Sequence, residues 1–185
     1  MAKATKEAVT ADSAKAEQLL TPAEVARRVV EGGNTHDPDL VVQYTHPDCV
    51  DEFLAVGVFE GRDAIRGFFA ELFAAAPDFE IHVDRVAAEG NVAVAQWHAS
   101  GTFDGGPFQG IEPTGRRIEI RGVDVMDIED GLVRHNTIYY DGATFARQIG
   151  LLPRKDSPAD RAVLRAFNAT TRARAALRRR RQPPR

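Results

Sequence analysis

One cysteine, two methionines and one tryptophan in 185 residues exclude several kinds of protein at the outset. Cys49 alone can make no intramolecular disulfide and no cysteine-based metal cage, which fits a reducing cytoplasmic setting. No stretch approaches the roughly 20 apolar residues of a membrane span. The polar, Ala-rich start of the chain has no apolar run of roughly seven or more, so no signal peptide is expected. No Gly-x-Gly-x-x-Gly follows a strand pattern and no phosphate-cradling loop is present, so no nucleotide cofactor is implied. His36, His46, His82, His98 and His135 lack the spacing of metal ligands, and no metal site is expected.

What is present is a core's worth of apolar residues, 43% of the chain, enough for one domain and too little chain for two ordinary ones. The charge is uneven. Residues 154–185 hold eleven Lys or Arg and two acids, a net +9; with −3 for the whole chain, residues 1–153 carry −12. An acidic body argues against a core that binds phosphates. The chain divides accordingly into a flexible polar arm (residues 1–20), an α+β domain (21–153) and a basic helical tail (154–185). The tail, with Arg178, Arg179, Arg180 and Arg181 in succession, could meet an acidic partner, nucleic acid or anionic lipid, or fold back on the acidic body.

Thr21-Pro22-Ala23-Glu24 reads as a capping box with proline at the first helical position, followed by Val25, Val29 and Val30 as an apolar stripe up to Gly32-Gly33. A short helix begins at Asp37-Pro38 and stops at His46-Pro47, and a strand is expected over residues 49–53. Gly61-Arg62-Asp63 opens the best helix, with Ile65, Phe68, Phe69, Leu72 and Phe73 at helical spacing before Pro77. The period then changes to two, giving strands over residues 79–87, 92–101, 116–128 and 132–140, with turns at Gly90-Asn91 and Asp130-Gly131. A Gly-rich loop over 105–115 is expected to form a lid or a solvated connection, and a last helix covers 143–151. Helices first and long strands after them is the α+β pattern.

Alternation along residues 118–128 puts Ile118, Ile120, Gly122, Asp124, Met126 and Ile128 on one face. Asp124 thus stands on an apolar face beside a glycine that leaves room, where an ionised carboxylate is costly unless paired. It meets a partner, or keeps its proton for use as an acid or hydrogen-bond donor. On the strand 92–101, Gln96 and His98 share one face and suggest a pocket rim, while Trp97 is on the other, in the core or a subunit contact. Of Asp51 and Glu52 only one can point inward, and so short a strand leaves both open. A two-residue turn at Asp130-Gly131 would set Thr137 and Tyr139 on the face of Asp124; a bulge would substitute Asn136, Ile138 and Tyr140.

His46-Pro47-Asp48, Gly61-Arg62-Asp63-Ala64-Ile65, the Trp97 strand with Gly101-Thr102-Phe103, Pro113-Thr114-Gly115-Arg116-Arg117, Asp130-Gly131 and Tyr140-Asp141 with Arg147-Gln148-Ile149-Gly150 carry a resemblance. The chain resembles the nuclear transport factor 2-like superfamily, and within it the SnoaL-like polyketide cyclases and relatives of ketosteroid isomerase. The resemblance implies a cone-shaped, curved, antiparallel sheet wrapped around N-terminal helices, a homodimer, and a pocket for a small apolar carbonyl compound without cofactor. Laid against ketosteroid isomerase, Glu52 falls on its proton-shuttling carboxylate and Asp124 on its protonated oxyanion-hole acid, with Val29 or a neighbour where its tyrosine stands. Against the aldol cyclases, Asp124 matches an active-site histidine and Ile138 a catalytic aspartate. Against limonene epoxide hydrolase, Gln96, His98 and Ile138 replace the triad, which excludes that reaction. The resulting candidates are Asp124, Glu52 and His98 as catalytic residues, with Gln96, Asp51, Trp97, Met126, Thr137, Tyr139 and Asp141 lining the substrate. The first reading is a cyclase or isomerase of a polyketide-like or polycyclic carbonyl compound; a non-catalytic ligand-binding or dimeric scaffold is the second, and binding through the Arg-rich tail the third.

Overall fold

The structure, a computed structural model, describes residues 20–181. The polar arm therefore lies outside the described residues except for Leu20, as do Pro183 and Pro184 at the end of the tail. Helix α1 (Pro22–Gly32) starts as the capping box requires: the Glu24 amide donates to Thr21 Oγ1 at 3.3 Å, and the Thr21 amide to Glu24 Oε2 at 2.8 Å. Its Val25, Ala26 and Val30 are buried. A single 3-10 turn leads to the short α2 (Pro38–Val41), capped by Asp37. Helix α3 (Arg62–Ala75) buries Ile65, Phe68 and Phe73, the stripe its 3.6-residue period provides.

Six strands follow the order β2-β1-β6-β5-β4-β3 in one curved sheet that does not close. They are β1 (Thr45–Phe53), β2 (Gly57–Glu60), β3 (Glu80–Glu89), β4 (Val92–Phe103), β5 (Arg116–Glu129) and β6 (Leu132–Tyr140). Every neighbouring pair is antiparallel except β1 and β6, which run parallel. Strand β1 starts four residues earlier than the run expected from sequence and takes in Pro47. Its ladder with β6 skips from Thr45 to Val50, so proline, which has no N–H to give, sits where no ladder bond is asked of it. Strand β2 was not foreseen; four residues are too few for a period.

The turn between β5 and β6 has positive φ at both central residues, 50° at Asp130 and 76° at Gly131, the geometry that Asp-Gly favours. The ladder nevertheless shifts by one residue just beyond it. Ile128 pairs with Val133 and Asp127 with His135, leaving Arg134 as the extra residue of a bulge. That shift puts Asn136, Ile138 and Tyr140, not Thr137 and Tyr139, on the inner face. Loop 104–115 is anchored to the end of α3 by Gly105 and Gly106, whose amides donate to Ala75 and Ala74 carbonyls at 3.1 and 2.7 Å. Its Phe108 is buried in the core.

Helix α4 (Gly142–Ile149) packs on β5. Helix α5 (Pro158–Arg181) is 24 residues long, starts where Ser157 Oγ accepts from the Asp160 amide at 3.1 Å, and leaves Val163, Leu164, Phe167 and Leu177 exposed. One ion pair, Arg147 to Asp160 at 3.7 Å, ties its first turn to α4. No helix among the described residues is long and apolar enough to cross a membrane.

Candidate functional site

The concave face of the sheet, closed over by α1 and α3, encloses a cavity of about 120 Å3. Its wall is apolar and largely aromatic, with Phe53, Phe68, Phe69, Phe79, Phe108 and Phe145 contributing. Phe68 is the hub, its ring centre 4.3 Å from that of Phe53 and 5.6 Å from that of Phe108. Polar atoms gather at the sheet, from Thr45, Asp51, Trp97, Asp124, Asn136 and Tyr140. Among the described residues no Lys, Arg or His lines the cavity.

Asp124 arrives there because alternation on β5 sends it inward with Gly122 and Met126. Trp97 stands opposite Gly122 across the β4–β5 ladder. A Cβ at position 122 would lie 2.3 Å from the indole Cζ2, so glycine is what allows the ring to rest against the strand. The room expected above Gly122 is thus filled by Trp97. Lying there, the indole N–H donates to Asp124 Oδ1 at 2.7 Å, and Asn136 Nδ2 donates to Oδ2 at 3.2 Å. Asp51, sent inward by β1 with Cys49 and Phe53, has among the described residues only the Cys49 thiol as donor, at 3.5 Å.

These surroundings order the two acids. Burial pushes the Asp124 carboxyl up to about 6, and its two N–H donors oppose the rise. Asp51 is pushed up to about 7, first by burial and then by repulsion from Asp124, with only the weak thiol bond acting the other way. Asp124 is therefore the better holder of negative charge and Asp51 the better holder of a proton. The Cys49 thiol is itself driven well above its ordinary range by burial and the adjacent Asp51, so it stays a thiol and is no nucleophile. Burial also raises the Tyr140 hydroxyl to about 12. Among the described residues no group of three or more His, Cys, Asp or Glu could hold a metal ion.

The sequence profile of the SnoaL-like polyketide cyclases matches residues 23–149. The chain belongs to the SnoaL-like polyketide cyclase family. Solved structures agree. A protein of Jannaschia sp. CCS1, described as a candidate SnoaL-like polyketide cyclase, superposes with a TM-score of 0.63 at 26% identity, over 71% of this chain and 93% of its own. TsrD of Streptomyces laurentii gives 0.61 at 28% identity, over 69% and 93%. A Catenulispora acidiphila protein with a ketosteroid isomerase-like fold gives 0.60 at 16% identity, over 75% and 100%, a likeness of fold alone. No curated protein matches the sequence. As a SnoaL-like protein, the chain is a small-molecule-binding domain.

Within this SnoaL-like fold, three of the residues expected at the site meet in the cavity: Asp51, Trp97 and Asp124. Glu52 does not, because β1 turns it to the opposite face from Asp51; the expected pairing of Glu52 with Asp124 is corrected to Asp51 with Asp124. Gln96 and His98 are on the outer face, since β4 buries Ala93, Ala95, Trp97 and Ala99 instead. His98 Nδ1 lies 2.8 Å from Asp84 Oδ1, with its ring 5.1 Å from that of His82. Thr137 and Tyr139 also face outward, for the reason given by the bulge at Arg134. Met126 is fully buried in the core without lining the cavity. Asp141 caps α4, accepting from the Ala143 and Thr144 amides at 3.0 Å each, and the Thr144 hydroxyl bond leads the effects that hold its carboxyl below the usual range. Sequence reasoning gave no site role to Thr45 or the phenylalanine wall, and offered Asn136 and Tyr140 only as the bulged alternative on the face of Asp124. The bulged register contained the signal for Asn136 and Tyr140.

Proposed function

We propose that this SnoaL-like cavity is a cofactor-independent acid/base site for a neutral, enolisable carbonyl compound, run by Asp124 and Asp51. Asp124, ionised, takes a proton from the carbon next to the carbonyl. The electrons of that C–H bond move onto the carbonyl oxygen, where the O–H of protonated Asp51 donates a hydrogen bond to the developing enolate. Return of the proton to another carbon gives an isomerase; attack of the enolate carbon on a second carbonyl, whose oxygen then takes the proton, gives a cyclase. The observation that carries the reading is two buried carboxyls facing one apolar cavity with unequal hydrogen-bond support. Polycyclic or polyketide-like compounds suit the aromatic wall.

Solvent deuterium exchange tests this without knowledge of the natural substrate. With 2-tetralone as probe, the protein accelerates exchange at the carbon beside the carbonyl, Asp124→Asn lowers that rate by about 100-fold or more, and Glu52→Gln leaves it within about threefold. Equal rates for wild type and Asp124→Asn would reject catalysis. Saturable binding of 2-tetralone with no acceleration would favour the non-catalytic ligand-binding reading instead.

A further inference from the structure

Among the described residues, one fully buried side-chain polar atom beside the two carboxyls has no hydrogen-bond partner. The Trp97 N–H is committed to Asp124 Oδ1, the Asn136 N–H to Asp124 Oδ2 and the Cys49 S–H to Asp51 Oδ1. What remains is Asn136 Oδ1, a fully buried amide oxygen with no partner on a side chain only 4% exposed. Buried acceptors are almost always paired, and an orphan is a place where a partner is missing. Turning the amide over does not remove the problem. It would set Oδ1 against a carboxylate oxygen that already carries charge, and leave the N–H groups without an acceptor.

We propose that Asn136 is a substrate-binding residue whose amide oxygen accepts a hydrogen bond from a hydroxyl or N–H of the bound compound, a neutral molecule bearing that donor beside its carbonyl. Neutrality follows from the lining: with two acids and no cation among the described residues around the cavity, a carboxylate or phosphate would meet repulsion and no counter-charge. The donor follows from the orphan oxygen, which the protein leaves unsatisfied and a ligand completes. The position follows from Asn136 sharing Asp124 with the proposed reaction, so that donor and carbonyl are held within a side chain's width of each other. This inference rests on the cavity being the substrate site, and it names the class of compound that site takes.

Three ring probes separate the terms: phenol has the donor, toluene of the same shape lacks it, and benzoate replaces it with a larger, negatively charged group. Affinities are measured with the full chain at pH 8, by ligand-observed and amide NMR. Asn136→Leu weakens phenol about tenfold or more and leaves toluene within about threefold; retained toluene binding also shows that the variant is folded. In wild type, phenol shifts the Asn136 side-chain amide signals and toluene does not, which keeps the test alive if Asn136→Leu does not fold. Benzoate does not saturate at ten times the phenol dissociation constant. Equal losses of phenol and toluene, an unmoved amide signal, or benzoate binding as tight as phenol would overturn the inference. Phenol has no proton beside a carbonyl, so these results stand whether or not 2-tetralone exchanges.

Discussion

The inner and outer faces of the sheet are woven from the same strands, yet they treat charge in opposite ways. On the inner face Asp51 and Asp124 are 7% exposed each, have neutral or N–H donors as company, and are held above the ordinary carboxyl range. On the outer face acids meet basic side chains in water, as Glu119 meets Arg117 and Asp84 the His98 ring. Neighbours one residue apart, Trp97 and Gln96 or Asp51 and Glu52, belong to different chemistries because the pleat separates them. Desolvation, not residue type, sets an acid's role here.

The largest effect that would sharpen this contrast compares Trp97→Ala with Gln96→Ala. Removing the indole empties the space over Gly122 and strips Asp124 of a donor, so the fold loses about 3–5 kcal/mol; Gln96→Ala stays within about 0.5 kcal/mol. Denaturant unfolding of both variants checks it, and similar losses would mean that the faces are not so different.

Next comes pH. The folded carboxyls of Asp51 and Asp124 sit at about 7 and about 6, above the unfolded value near 4. The unfolded chain therefore ionises first, and stability that is fully present below pH 4 is lost as pH rises through 6 and 7. Asp51→Asn removes one of these charges, so it raises the melting temperature by several degrees at pH 8 and by much less at pH 4. A stabilisation independent of pH would contradict the burial argument. The smallest effect is on the outer face: His98→Ala costs less than about 1 kcal/mol, because its pair with Asp84 is half-exposed and screened, and it leaves phenol binding unchanged in a titration.

What could be read from sequence and what could not follows the same division between local and long-range causes. The capping box at Thr21, the stripe of α3 and the Asp130-Gly131 turn are short-range patterns, and all three formed as their residues require. So did the inward face of β5 with Asp124 at its centre. Which face of β4 joins it was hidden, because the parity of their pairing is settled across the loop 104–115 and not within either strand. Gln96 and His98 were misplaced for that reason. Thr137 and Tyr139 were misplaced by the single extra residue Arg134, and one residue is all it takes to exchange the faces of a strand. The choice of Asp51 over Glu52 depended on β1 joining β6 in parallel, a contact about 85 residues long in sequence that no window reveals.

The account stands on two buried acids that keep protons near neutrality and feel each other. Carbon-13 NMR titration of the aspartate carboxyls, in wild type and in Asp124→Asn, reads this directly. Two carboxyls should titrate near 6 and 7, and Asp51 should titrate lower once the charge at position 124 is gone. Should every aspartate titrate below about 5, or Asp51 be indifferent to that substitution, the inner face is not the dry acid pair described and the chemistry proposed for it fails.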